Sequence, residues 1–153
     1  MVTEALYYSV AAGYLPSAQT IYAFYETVLP NPCRKYHISS DLASAQQVAG
    51  IVLPILVRHE IYHKVVQSSS LLSRQMAGPQ AGKFITAYIQ PHLEQRNALI
   101  HELGEALWSA HLQYGIEPSP LVPRSRHYKH LFIEQPLDRG CFIYGGGIVD
   151  PTV

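Results

Sequence analysis

Apolar residues recur along the first two thirds of this chain at spacings of three and four, and the pattern lapses after Glu117. Ile21, Tyr22, Tyr25 and Val28 form one such stripe. Ser17 opens it and Pro30 and Pro32 close it, which predicts a helix over residues 17–28. Ser40 and Asp41 make a helix start, and the periodicity runs on to Met76, with Pro54 inside the span to kink or divide it. A turn over residues 76–82 precedes a helical segment over 83–90 and another from Pro91 to Tyr114, stopped by Gly115. Beyond that the chain changes character. Residues 117–123 have polyproline composition, and only residues 131–133 and 141–144 read as short strands, the second leading into the glycine turn 145–147. The expected fold is mainly α: a helical hairpin or small bundle over residues 1–116, with a largely extended C-terminal arm over 117–153 that is not an independent domain.

Composition shifts the picture toward contact surfaces. The 153 residues suit one modest core, and the formal net charge is zero, so no global field draws nucleic acid or an acidic membrane. Charged residues make up 14% of the chain while tyrosine and proline each number 11, a balance that leaves much surface poorly suited to water. The longest apolar run, residues 51–57, falls far short of the ~20 residues of a membrane span. The N-terminus has no basic segment ahead of an apolar block, so an intracellular, non-secreted protein is expected, with an organelle or a viral particle as settings. Cys33 and Cys141 have no metal-type spacing, and the sequence leaves their pairing open.

One stretch carries a spacing with a defined mechanism. His59-Glu60-Ile61-Tyr62-His63 is an H-E-x-x-H run; on a helix its two histidines share a face and can hold Zn²⁺, with the glutamate as general base. With Glu102 on the later helix, this arrangement resembles the gluzincin metalloproteases. That resemblance implies His59, His63 and Glu102 as zinc ligands and Glu60 as the base that activates water. The helical faces argue the other way: Ile51, Ile55, Tyr62 and Val66 define the buried side, the histidines fall on its flank, and Glu102 points away from the apolar stripe of its own helix.

Arg124, Arg126 and Lys129 form the one basic cluster, a weak candidate for contact with phosphate or RNA. The leading expectation is a non-catalytic structural or accessory subunit of a larger assembly, without a cofactor. Other protein subunits would be its partners, held through Tyr22, Tyr25, Tyr128, Phe132, Phe142 and Tyr144. The alternative is a small zinc-dependent hydrolase, and a weaker one a phosphate- or RNA-contacting subunit.

Overall fold

A computed structural model of the chain describes residues 4–91, 96–127 and 130–149. Its centre is a six-stranded sheet, not a helical hairpin. In chain order the elements are a 3-10 turn at Tyr7–Val10, strands β1 (Leu15–Pro16), β2 (Tyr22–Tyr25) and β3 (Cys33–Ile38), and helix α1 (Ala45–Arg58). Strand β4 (Tyr62–Val66), helix α2 (Ser69–Met76), strand β5 (Ile85–Ile89) and helix α3 (Arg96–Tyr114) follow. Strands β6 (Arg124–His127), β7 (His130–Ile133) and β8 (Ile143–Val149) complete the order. The sheet runs β1-β2-β4-β5-β3-β8, every neighbour antiparallel, and β6 pairs with β7 as a separate hairpin.

The mainly-α expectation fails for a physical reason. The stripe at 17–28, the segment at 83–90 and residues 62–66 within the 40–76 span are short and hold β-branched and aromatic residues, whereas residues 69–76 are helical as expected. Runs so short satisfy a three-to-four spacing by chance. The first three are β2, β5 and β4. The 40–76 span divides not at Pro54, which lies inside α1, but at Glu60, whose φ of 55° reverses the chain after the helix. The Ile61 amide donates to the Leu56 carbonyl at 3.0 Å and closes that helix end. The C-terminal segment, expected as a largely extended arm, instead contributes strands β6, β7 and β8. β8 pairs with β3 as the sixth strand, and the Asp41 amide donates to the Glu117 carbonyl at 3.0 Å, pinning the start of the segment to the core.

The sheet buries one face. Ala23, Tyr36, Ile38, Val65, Ile85, Ala87, Ile89 and Ile143 alternate with the residues of the opposite face and pack with Val48, Val52, Leu53 and Leu56 of α1 and Leu99, Leu103 and Leu107 of α3. Leu103 is fully buried, so Leu103→Ala should cost about 2–5 kcal/mol of stability. Urea denaturation checks this, and a loss below about 1 kcal/mol would contradict the packing described.

Candidate functional site

The other face of the sheet is polar, and the register says which residues share it. His37 lies opposite Thr86, and Thr86 opposite Lys64, so these three form one row across β3, β5 and β4. The next row places Lys35 opposite Tyr88 and Tyr88 opposite Tyr62. At about 4.8 Å per strand step, His37 and Lys64 stand roughly 10 Å apart at Cα, with the short Thr86 between them. Lys83 enters from the residue pair before β5, where Gly82 has a φ of +86° and would meet the Leu121 carbonyl at 2.5 Å if it bore a Cβ. Three of the four lysines in the chain, Lys35, Lys64 and Lys83, therefore gather at this face; the fourth, Lys129, lies outside the described residues.

A cavity of about 570 Å³ opens over the face, lined by Lys35, His37 and Lys83 from the sheet side and by Ser125, Glu134 and the glycines of β8 among others. Its electrostatics follow from crowding cations on a half-dry surface. Lys64 is brought down to about 8, first by burial and then by Lys35 and Lys83, so near neutral pH part of it is a free amine. Its Nζ rests 4.2 Å from the Tyr22 ring centre. Lys83 is also lowered, by burial first, with Glu134 opposing and Lys35 adding to the shift. His37 is 3% exposed and is held well below the ordinary histidine value by burial and then by the three lysines, which favours its neutral form. Its Nδ1 lies 3.1 Å from Thr86 Oγ1 and its Nε2 3.7 Å from Glu134 Oε1. Glu134 accepts a hydrogen bond from Ser125 Oγ, while its other oxygen is buried without a partner. Two lysines and a histidine lining a hollow, with a third lysine on the same sheet face, have the charge to receive a compact oxyanion. The partly neutral amine at one side and the imidazole at the other add a base and an acid.

The H-E-x-x-H residues are not brought together. His59 sits at the end of α1 and its Nε2 is 3.0 Å from Glu102 Oε1, a carboxylate that Arg58 also bonds. His63 belongs to β4 and is fully buried on the helix side of the sheet, stacked on Tyr25. Its Nδ1 lies 2.7 Å from the Ile61 carbonyl, and Tyr14 Oη lies 2.6 Å from its Nε2, so both ring nitrogens are occupied. Burial lowers it to about 4, with that carbonyl bond opposing. Glu60 forms the reversal between helix and strand. The motif never lies on one helix, and among the described residues no group of three or more His, Cys, Asp or Glu could hold a metal ion. The zinc-hydrolase expectation is thereby corrected.

The remaining expected residues fall in different places. Tyr22 and Tyr25 are half-buried in β2, Tyr22 accepting a 3.0 Å bond from Gln75 Nε2. Phe142 and Tyr144 are buried at the start of β8 and Phe132 is exposed on β7. Arg124 opens β6; Tyr128 and Lys129 lie outside the described residues, and of Arg126 only the backbone is described. Cys33 is buried and Cys141 exposed, and no disulfide joins them. No helix among the described residues is long and apolar enough to cross a membrane.

Comparison with known proteins places this geometry. The profile of the family described as RamC, N-terminal domain matches residues 18–114. No curated protein matches the chain. Among solved structures, the type III effector and phosphothreonine lyase OspF from Shigella flexneri aligns at TM-score 0.58 and 14% identity, over 95% of this chain and 78% of that one. A phosphothreonine lyase solved for its catalytic mechanism aligns at 0.58 and 12%, over 95% and 73%. The VirA (SpvC) phosphothreonine lyase effector of Chromobacterium violaceum aligns at 0.58 and 14%, over 94% and 73%. At such identities the likeness is one of fold. That fold overturns the expectation of a structural subunit built on a helical hairpin: the architecture is the one seen in solved phosphothreonine lyase effectors.

Proposed function

This chain belongs to the RamC N-terminal domain family, and from that premise we propose that it is a lyase removing phosphate from a phosphothreonine or phosphoserine residue of a peptide by β-elimination. The observation that supports this reading most strongly is that Lys35, His37 and Lys83 line one cavity while Lys64 shares their sheet face, in one row with His37 and Thr86. The structural neighbours described as phosphothreonine lyases lend it their chemistry by analogy.

The roles follow from charge and position. Lys35 and Lys83 line the cavity and take the phosphate dianion, whose charge relieves their mutual repulsion. Lys64, brought to about 8, supplies the neutral amine that takes the Cα proton. The electron pair of that C–H bond forms the Cα=Cβ double bond as the Cβ–O bond breaks, and the phosphate leaves with the bonding pair. His37 gives its proton to the departing oxygen. Burial first and then the three lysines favour its neutral form, and the charge of the bound dianion offsets that bias so that it carries the proton. The products are an unsaturated residue, phosphate, and a protonated Lys64. Only an α-hydrogen and a β-phosphate are needed, which threonine and serine both provide.

Incubation with a phosphothreonine peptide tests this by mass spectrometry. The expected product is the peptide lighter by phosphoric acid, one water less than the threonine peptide a phosphatase leaves. Recovery of the plain threonine peptide, or of unchanged substrate alone, would overturn the reading.

A further inference from the structure

On the helix side of β3, Arg34 and Tyr36 alternate with Lys35 and His37. With Arg96 of α3 they line a second hollow of about 320 Å³, and no Asp or Glu among the described residues lines it. Each arginine is steadied by a backbone carbonyl through one nitrogen. Arg34 Nη1 donates to Gly146 O at 2.8 Å and Arg96 Nη1 to Pro91 O at 2.7 Å. Arg34 Nε is buried with no hydrogen-bond partner, and among the described residues neither guanidinium has a salt-bridge partner. Both act on the Tyr36 phenol, drawing its value down against the larger effect of burial. Two fixed guanidinium groups and a phenol around a space with no counter-charge among the described residues are donors suited to an anionic acceptor.

The hollow and the lysine cavity lie on opposite faces of the sheet and share two lining residues at its edge. Gly145 and Leu137 line both. Gly145 belongs to β8, the edge strand, where Gly145, Gly146 and Gly147 present no side chains. A peptide with its phosphorylated residue over Lys35 and His37 can cross the bare edge of β8 and arrive above the arginines.

We propose that Arg34 and Arg96 form a subsite for the side-chain carboxylate of an aspartate or glutamate in the peptide substrate. This rests on the lyase reading, which supplies the peptide. At ~3.4 Å per extended residue, rounding one strand places the acid about three to four residues from the phosphorylated one.

The test measures binding separately from turnover. Fluorescence anisotropy on the Lys64→Met protein compares labelled phosphothreonine peptides bearing glutamate or glutamine three or four residues away on either side. Glutamate on one side should tighten binding about 10-fold. Arg96→Gln should reduce that ratio to near one, and Arg96→Lys should restore part of it, which a folding defect would not do. Equal binding of the two peptides, or a ratio that survives Arg96→Gln, overturns the subsite. So does a result in which inorganic phosphate alone perturbs the protein in an Arg96-dependent way while the acidic peptide gains nothing; the hollow then holds a free anion. Product formation by the unaltered protein is scored in parallel, so loss of the glutamate preference and loss of elimination are read independently.

Discussion

Replacing Lys64 with methionine is expected to lower the elimination rate by about 10³-fold while making the protein more stable. The activity loss follows from its place on the sheet face that carries Lys35 and His37, as an amine brought to about 8, close enough to neutral to accept a proton at working pH. The stability gain follows from the same shift. In the unfolded chain a lysine ionises near 10.4, so the unfolded state binds the proton more tightly than the folded state does. Lys64 therefore opposes folding in full below pH about 8, and the penalty fades as pH rises from there toward the unfolded value. Allowing for its partial contact with solvent, relief of that penalty is worth about 2 kcal/mol at neutral pH, seen as a higher Tm. For the unaltered protein kcat/KM should rise with pH through about 8 as Lys64 loses its proton. A methionine variant that keeps full activity, or one that melts lower, would contradict the assignment.

His37→Asn is expected to cost about 10²- to 10³-fold in kcat. Asparagine keeps a hydrogen-bonding group near Thr86 but has no proton to give. The pH profile carries the discriminating signal. In the complex His37 must be protonated, so kcat for the unaltered protein should fall at high pH as that proton is lost, and the asparagine variant should lack this descending limb. At 3.7 Å from His37 Nε2, Glu134 Oε1 is a further oxygen that the imidazolium faces once the bound phosphate has favoured it. A variant that retains both limbs would show that the acid is another group.

Part of this was legible in the sequence. The helix ending at Tyr114 before Gly115 was, because a left-handed glycine with φ of +73° after an apolar stripe is a local signal. The strands were not. YAFY, YHKVV and ITAYI are too short for period two to stand out from period three to four, and only pairing across the sheet separates the alternatives. His59 and His63 look like one helix face until Glu60 is seen to reverse the chain between them. The lysines did leave a trace. In a chain so poor in lysine, one sits inside the β-branched run YHKVV and another is two residues from a histidine in CRKYHI. A charge inside an otherwise apolar strand is costly unless something faces it. That Lys35, His37, Lys64 and Lys83 converge depends on β3, β4 and β5 being neighbours, which no local spacing encodes.

The central claim is that the Cβ–O bond breaks by elimination and that water attacks nothing. It is tested most directly by running the reaction on a phosphothreonine peptide in water enriched in heavy oxygen and weighing both products. Elimination predicts phosphate free of the label and a peptide carrying a double bond. Heavy oxygen incorporated into the released phosphate, with an intact threonine left behind, would contradict it.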